Sequence, residues 1–402
     1  MRIALLSYTF PRGMGYIGNM LPRYLARLGA QVHYITMDLP HYFQSGGHAA
    51  SYGAFEGLGV VAPQSVEQYD GFTLHGLAHR ELLGQMAYTG LRRKLEALRP
   101  HVVQSFLAIG WPALQAALDQ PAMGYRLFTA NHTTASVFPP AQAGHRSSVP
   151  ARAKNALGRY LPGRFISGRT DICYAATVDC ADVAIRFFGV QSAKVVVMPL
   201  GVDTELFAPA ASPALEAART ATRRALGIAA EEVVFIYTGQ FTEAKNPLLL
   251  ADAVEELNRE GLPVRALFIG GGVQDARIRT RARSIVRAFM PNHELPPYYR
   301  AADVGVWPTQ ESTSMLDAAA CGLPIVVNDT LQAVERISGN GVTYRLNDLS
   351  DLKSVLRGLM SVERRQALGQ CGARRMEAEF SWRRLAARRL QDYERHLAGA
   401  ST

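Results

Sequence analysis

Short apolar runs alternate with amphipathic stretches along most of the chain. In the first half, residues 16–28 and 81–98 have the period of amphipathic helices. The apolar runs around them predict buried strands at 2–8, 31–37, 102–107, 126–130, 172–177 and 194–198. Alternation of this kind is typical of βαβ units, in which a parallel sheet carries helices on both faces.

The same alternation starts again after a turn-rich stretch at 199–209, which predicts a hinge. Beyond it, apolar runs predict strands at 232–238, 264–269, 304–307 and 325–328. Helices are predicted at 247–259 and 314–320, and a further helix is predicted to extend through residue 285. Arginine-rich helices follow from 352 to 396. The second half therefore repeats the architecture of the first.

The length of the chain agrees with two domains, because 402 residues exceed what a single core usually supports. The fold class is α/β, with two Rossmann-like doubly wound domains at 1–200 and 201–378. In such folds the ligand lies at the carboxyl ends of the strands, so a central cleft between the domains is the expected site.

Composition narrows the kind of partner. The net charge of +9 and the isoelectric point near 9.5 indicate an anionic partner. We expect no nucleic acid, because the aromatic residues form no recognisable base-reading motif. No apolar run reaches the length of about 18 residues that a membrane-spanning helix needs. The four cysteines lack metal-ligand spacing, which fits a reducing cytoplasm.

One segment concentrates the positive charge. Residues 145–169 contain several arginines and a lysine but no acidic residue. Apolar and aromatic residues lie between these charges, a pattern typical of a helix at an anionic membrane surface. The location predicted from this segment is cytoplasmic and peripheral at the inner face of the cell membrane. An ordinary solvated helix face would give the same pattern.

The candidate chemistry begins in the stretch 307–327. An apolar strand leads into hydroxyl residues, and a very short helix of small residues then ends at Gly322 and Pro324. Unpaired N–H groups of its first turn, Ser314 to Leu316, are expected to point at a phosphate. Asp317, one turn in, could accept hydrogen bonds from ribose hydroxyls. Alternatively, Ser314 and Asp317 form only a capping pair that starts the helix.

Two further loops follow predicted strands and would face the same cleft. In the first, Gly239 ends a strand and Lys245 stands at the start of the next helix, where a flexible ammonium suits a diphosphate. The second is Gly270-Gly271-Gly272, whose lack of side chains lets the backbone approach a ligand. A plain surface lysine and a plain turn are the alternatives.

Together these segments resemble the retaining GT-B glycosyltransferases of glycosyltransferase family 4. The resemblance extends over nearly the whole chain, and no single motif carries it alone. The matching stretches are 199–209, 239–247, 295–304, 316–327 and Phe380-Ser-Trp382-Arg. The last of these resembles the helix that crosses back to the N-terminal domain in this family, which makes 379–402 a separate C-terminal element.

The resemblance implies roles for individual residues. Lys245 matches the lysine that neutralises the donor diphosphate, and Asp317 matches the second acid of the E-x7-E motif, which holds the ribose. His132 matches a histidine near the reacting sugar. The catalytic candidates are His132, Lys245 and Glu311. The donor-binding candidates are Gly13, Gly15, Gly239, Gln240, Lys245, Gly271, Met290, Glu311, Ser314, Met315, Leu316 and Asp317.

This chain departs from the family pattern at the donor phosphate and sugar. Gln240 stands where the family usually has arginine, so Lys245 or another base must carry more of the charge. The first acid is displaced as well, because Thr309 lies eight residues before Asp317 and Glu311 lies only six before it. The resemblance therefore leaves it open whether Glu311 contacts the donor sugar.

The function implied is transfer of a sugar, with retention, from a UDP- or GDP-linked donor to an acceptor hydroxyl. The acceptor expected is a lipid-linked or cell-envelope glycan. Because the chain contains no Asp-x-Asp pair, the usual carboxylate clamp for a divalent metal is missing. We therefore expect a metal-independent hexosyltransferase that uses no cofactor besides the nucleotide sugar.

Two other enzyme classes remain as alternatives. Gly13-Met-Gly15-Tyr-Ile-Gly18, with Asp38 twenty residues later, matches the dinucleotide-binding fingerprint of a nicotinamide- or flavin-dependent oxidoreductase. That fingerprint, however, places its first glycine directly at the end of a strand. A GT-B nucleotide-sugar epimerase or hydrolase would use the same donor site without an acceptor.

Overall fold

A computed structural model of the chain describes residues 1–41, 49–52, 55–142, 144 and 148–399. It contains two α/β halves, each built on its own parallel sheet, and so confirms the predicted fold class. Three residues of the basic segment, His145, Arg146 and Ser147, lie outside the described residues.

The first half contains an eight-stranded sheet and a separate hairpin. The strands are β1 (Arg2–Leu6), β2 (Gln31–Met37), β3 (Val66–Tyr69), β4 (Phe72–Leu77), β5 (His79–Leu82), β6 (Gln85–Tyr88), β7 (Val102–Ser105), β8 (Arg126–Asn131), β9 (Ile172–Ala175) and β10 (Val195–Val197). The α-helices are α1 (Ile17–Arg27), α2 (Ala49–Tyr52), α3 (Leu91–Leu98), α4 (Trp111–Met123), α5 (Val149–Asn155), α6 (Leu161–Arg169) and α7 (Val178–Phe188).

The second half contains a six-stranded sheet. Its strands are β11 (Val233–Gln240), β12 (Val264–Gly271), β13 (Ser284–Arg287), β14 (Val304–Trp307), β15 (Ile325–Asn328) and β16 (Gly341–Tyr344). Its α-helices are α8 (Pro213–Ala225), α9 (Leu248–Arg259), α10 (Asp275–Arg279), α11 (Pro296–Ala301), α12 (Ser314–Ala320), α13 (Leu349–Gly358), α14 (Val362–Arg375) and α15 (Trp382–Ala398).

The strand order explains where a ligand can bind. The first sheet runs β10-β9-β8-β7-β1-β2-β4-β3, and all its pairs are parallel except β3 with β4. The second runs β13-β12-β11-β14-β15-β16 and is parallel throughout. The chain order reverses between β1 and β7 in one sheet and between β11 and β14 in the other. Crevices at such switch points, at the carboxyl ends of the strands, are the ligand sites of doubly wound folds.

Two predicted helices are wrong in part. The helix predicted at 81–98 begins only at Leu91, because His79 to Tyr88 form the hairpin of β5 and β6. Leu83 and Gly84 have φ of 52° and 71°, the left-handed pair that a tight hairpin turn requires. The helix predicted up to 285 ends at Arg279, and the following residues form β13.

The last helix belongs to the packing of the first half. Helix α15 lies along α1, and Trp382, Leu385 and Tyr393 are buried in the same hydrophobic core as β1 and β2. Where the chain crosses between the halves, Val202 and Ser381 form a parallel bridge, in which Trp382 donates its N–H to the Val202 carbonyl at 3.0 Å. The interdomain link and the returning helix therefore stabilise each other.

The buried side chain of Trp382 tests this packing. We expect Trp382→Ala to lower the free energy of unfolding by about 3–5 kcal/mol, because it leaves a large cavity in the first core. Trp382→Phe should cost clearly less, since it keeps most of the ring volume and removes an indole N–H that is buried without an acceptor among the described residues. Urea unfolding measures both. Equal losses would show that packing of this ring is not what holds α15.

Candidate active site

A cavity of about 330 Å³ lies between the two halves, at the carboxyl ends of β11 and β12. The first half contributes Met14, Gly15, Tyr16, Ser51 and Tyr52 to its lining, and the interdomain link contributes Gly201. The remaining walls come from the second half and consist of Thr238, Gly239, Gln240, Lys245, Ile269, Phe289, Met290, Asn292, Leu295, Ser312, Thr313, Ser314 and Asp317.

The cavity is closed where the two halves touch. The Asn292 N–H donates to the Gly13 carbonyl at 3.0 Å. Phe289 packs edge-on against Tyr52, with ring centroids 4.8 Å apart. Gly15 must lack a side chain, because a Cβ there would lie 2.6 Å from the Asn292 amide nitrogen. Gly15, predicted to bind the donor, therefore also allows the two halves to approach.

Lys245 is the cation of this cavity. It lies in the turn between β11 and α9, where its N–H donates to the carbonyl of Thr242 at 3.1 Å. Burial lowers the pKa of the Lys245 ammonium, and the Glu311 carboxylate partly offsets this effect. Among the described residues the ammonium has no hydrogen bond or ion pair. A desolvated ammonium without a partner favours the binding of an anion.

The first turn of α12 differs from the prediction. The Leu316 N–H donates to the Thr313 carbonyl at 2.9 Å, and the Met315 N–H donates to the Ser312 carbonyl at 3.2 Å. The Ser314 N–H makes a longer bond, 3.4 Å, to the Ser312 hydroxyl. The expectation of unpaired N–H groups at 314–316 is therefore wrong, because the turn before the helix uses them locally.

Ser314 lines the cavity through its side chain. Its hydroxyl donates to the Thr238 carbonyl at 3.2 Å and lies 2.8 Å from the Ser312 hydroxyl. It makes no capping bond to the helix, so the capping-pair alternative is not realised. These contacts join the start of α12 to the end of β11, beside Gly239.

Asp317 carries an unusual charge environment. Burial and the nearby Asp203 carboxylate raise the pKa of Asp317 to about 8. Asp203 is held by the Tyr24 hydroxyl at 2.8 Å and by the Arg23 guanidinium at 3.2 Å. The Asp317 carboxyl has no hydrogen bond from a described side chain. It can therefore accept hydrogen bonds from hydroxyls of a ligand.

Glu311 lies outside the lining of the cavity. Its Oε2 is buried without a hydrogen bond among the described residues and lies 3.7 Å from the Arg336 guanidinium. Burial raises the pKa of Glu311, and Arg336 counteracts this most strongly. The Thr309 hydroxyl, at the position where the family has its first acid, is likewise buried with no hydrogen-bond partner in the described part of the chain. Neither side chain therefore reaches the cavity directly.

Several other predicted residues do not line the cavity. His132 follows β8, and burial together with the Arg389 guanidinium lowers its pKa to about 4, so its imidazole is neutral. Gly271 ends β12 beside Gln240. Met315 and Leu316 are buried in the core of the second half. Gly13 takes part through its carbonyl, at the contact with Asn292 described above.

The predicted residues that meet around the cavity are Gly15, Gly239, Gln240, Lys245, Met290, Ser314 and Asp317. The lining residues that were not predicted include three aromatic side chains, Tyr16, Tyr52 and Phe289. Phe289 directly precedes Met290, which gave a weak signal in the sequence. Tyr52 gave no signal in the sequence, because its position in the cavity wall depends on how the two halves meet.

The dinucleotide fingerprint is not realised. Gly13 lies seven residues after the end of β1, whereas the fingerprint needs its first glycine directly after the strand. The Asp38 carboxylate, expected at a ribose, accepts the N–H of His79 at 2.8 Å and pairs with its ring. Among the described residues, no group of three or more His, Cys, Asp or Glu side chains could hold a metal ion.

Comparison with known sequences supports the resemblance to glycosyltransferases. The family described as Glycosyltransferase Family 4 matches residues 13–206, and the family described as Glycosyl transferases group 1 matches residues 232–361. D-inositol 3-phosphate glycosyltransferase of Xylanimonas cellulosilytica is 29% identical over 98% of this chain and 96% of its own length. The enzyme of that name from Kineococcus radiotolerans is 29% identical over 98% and 95%.

Solved structures share the architecture. Sucrose-phosphate synthase from Thermosynechococcus elongatus superposes with a TM-score of 0.70 at 16% identity, covering 99% of this chain and 100% of that one. Anabaena HepE in complex with UDP superposes with a TM-score of 0.69 at 14% identity, covering 98% and 100%. The predicted family is thereby confirmed: the chain belongs to the GT-B glycosyltransferases of glycosyltransferase family 4, with the C-terminal domain of glycosyl transferases group 1.

Proposed function

We propose that this glycosyltransferase moves a hexose from a UDP- or GDP-linked donor to an acceptor hydroxyl, with retention and without a metal. One observation carries the proposal. One cavity is lined by a half-buried ammonium, Lys245, and by a carboxyl that receives no hydrogen bond from the described residues, Asp317. A nucleotide sugar supplies an anion for the first and ribose hydroxyls for the second.

The charges of the cavity fit the departure of a diphosphate. When the bond between sugar C1 and phosphate oxygen breaks, negative charge develops on the leaving diphosphate. A cation fixed at that position stabilises the transition state more than the bound donor, and it therefore accelerates the transfer. Lys245 would supply this charge, and Gln240 would contribute a neutral contact where the family usually has arginine.

The donor base has a natural place at the aromatic end of the cavity. Tyr52 and Phe289 lie there beside Met290 and Asn292. A flat base could stack on these rings while the backbone of 290–292 reads its edge. In the retaining transfer, the acceptor hydroxyl would attack from the side of the leaving diphosphate. His132 would remain a neutral group near the reacting sugar.

Two acceptor classes have support. The basic and apolar composition of 145–169 favours a lipid-linked or cell-envelope glycan. The names of the relatives in Xylanimonas and Kineococcus favour D-inositol 3-phosphate as the second candidate. Both offer hydroxyl groups, and D-inositol 3-phosphate or a phosphate-linked lipid glycan would also be an anion, which agrees with the net charge of +9.

A transfer assay tests the proposal directly. UDP- and GDP-hexoses are each incubated with D-inositol 3-phosphate or with a lipid-linked acceptor, with and without EDTA, and products are identified by mass spectrometry and NMR. We expect one pair to react, EDTA to have no effect, and the anomeric configuration of the donor to persist. Release of free sugar without acceptor would favour a hydrolase, and an inverted anomer would refute retention.

The role of Lys245 can be measured by substitution. We expect Lys245→Ala to slow the transfer by about 10²–10³, because the leaving diphosphate loses its fixed cation. Lys94→Ala, on α3 and outside the cavity, is the matched control and should leave the rate unchanged. Single-turnover kinetics at saturating donor separate this effect from weaker binding. A rate for Lys245→Ala within about threefold of wild type would contradict the assignment.

Asp317 gives a prediction that depends on pH. The Asp317 pKa is about 8 in the folded protein and about 4 in an unfolded chain. Because the folded pKa is higher, the wild type loses stability as the pH rises from about 4 to about 8. Asp317→Asn lacks this loss, so its stability relative to wild type should increase over this range. Urea unfolding of the variant and the wild type at about pH 5 and about pH 8.5 tests this prediction. An equal difference in unfolding free energy between the two proteins at both pH values would contradict it.

A further inference from the structure

Helices α5 and α6 form one continuous helical segment with an exposed outer side. A single π-helical turn, Ala156–Tyr160, joins them without a break. Between residues 149 and 161 every described residue except Asn155 is exposed. The segment therefore lies on the surface of the first domain, held at Asn155, whose side-chain amide donates to the Phe187 carbonyl at 3.5 Å, and more tightly near its end.

The anchored side of the segment is well defined. Gly163, Ile166 and Ser167 are buried against the first domain. The contact is so close that a Cβ on Gly163 would lie 1.8 Å from the carbonyl oxygen of Phe188 in α7. This packing fixes which side of α6 faces the protein and which side faces away.

The side that faces away is apolar. Leu157, Leu161 and Phe165 are 68%, 54% and 40% exposed. They recur every four residues and so lie on one face of the helix. Leu161 precedes the buried Ile166 by five residues, which is about 140° around the helix axis at 100° per residue. The apolar stripe is therefore directed at solvent, where nothing in the described chain covers it.

Positive charge surrounds this stripe. The segment contains Arg152, Lys154, Arg159, Arg164 and Arg169 and no acidic residue. Arg169 lies over the ring of Phe165, at 5.3 Å from its centroid. Arg152, Lys154 and Arg164 form no ion pair within the described part of the chain. An apolar stripe flanked by unpaired cations matches the physical requirements of an anionic lipid surface.

We propose that the outer side of residues 149–169 docks on an anionic lipid bilayer. This surface, the basic stripe, consists of the apolar stripe together with the cations that flank it. The apolar side chains would enter the boundary between headgroups and acyl chains, while the arginines and the lysine contact the headgroups. A second copy of the chain fits less well, since a two-fold contact would bring five basic residues against five others.

The position of the basic stripe is consistent with delivery of a membrane-bound acceptor. Gly163 of α6 packs beside Ile109, since a Cβ on this glycine would lie 2.8 Å from the Ile109 side chain. Ile109 follows the carboxyl end of β7, which is the edge of the sheet that faces the cleft. This step rests on the proposed transfer reaction, whereas the docking itself does not.

Vesicle flotation tests the docking. The full chain is mixed with vesicles of neutral phosphatidylcholine or of phosphatidylcholine with phosphatidylglycerol, without donor or acceptor. We expect flotation only with the anionic vesicles, and less of it at high salt. Substituting Leu157, Leu161 and Phe165 together by serine should reduce the bound fraction by about tenfold or more.

The matched control replaces three exposed apolar residues elsewhere, Val66, Leu118 and Val273, by serine, and it should float like wild type. Circular dichroism checks that both variants are folded, and Lys154→Glu with Arg164→Glu provides a second test that leaves the apolar stripe intact.

Equal flotation with neutral and anionic vesicles, or no flotation with either, would overturn the proposal. A dimer in light scattering that the triple variant dissociates would instead identify a subunit interface. The rate of transfer to a soluble acceptor should be unchanged in the triple variant. A failure of the docking proposal can therefore be distinguished from a failure of the proposed function.

Discussion

The site depends on one constraint: its ionisable groups lie in the cleft between the domains, where they are removed from water. Burial lowers the pKa of the Lys245 ammonium and raises the pKa of the Asp317 carboxyl. Each charge is costly to bury without partners, and the described protein supplies few of them. A ligand with a phosphate and hydroxyl groups would supply them. The strand order of the two sheets places these groups together at the switch points.

The parts of the fold that depend on local pattern could be predicted from the sequence. The apolar runs of β1, β2, β11 and β12 stand out because parallel strands are buried on both faces. The positions of Gly239 and Lys245 follow from β11 and that of Asp317 follows from β14, since the carboxyl ends of parallel strands lie at one edge of the sheet. The helical period of 81–98 conceals the hairpin of β5 and β6, and Gly84 is the one residue there that indicates a turn.

The remaining features depend on contacts between distant parts of the chain. Phe289 meets Tyr52 only when the domains approach, and the need for glycine at position 15 arises from Asn292. The N–H groups of α12 are taken up by the turn at Ser312, which periodicity does not reveal. The placement of Glu311 beside Arg336 likewise depends on a residue more than twenty positions away.

Calorimetric titration of the protein with UDP, GDP, uridine and guanosine tests the central claim most directly. If the cavity exists to pair the half-buried Lys245 ammonium with a diphosphate, one nucleoside diphosphate should bind at least about tenfold more tightly than its nucleoside, since charge-assisted hydrogen bonds contribute about 1.5–3 kcal/mol. The difference should shrink in Lys245→Ala. Equal affinity of nucleoside and diphosphate for the wild type would contradict the account.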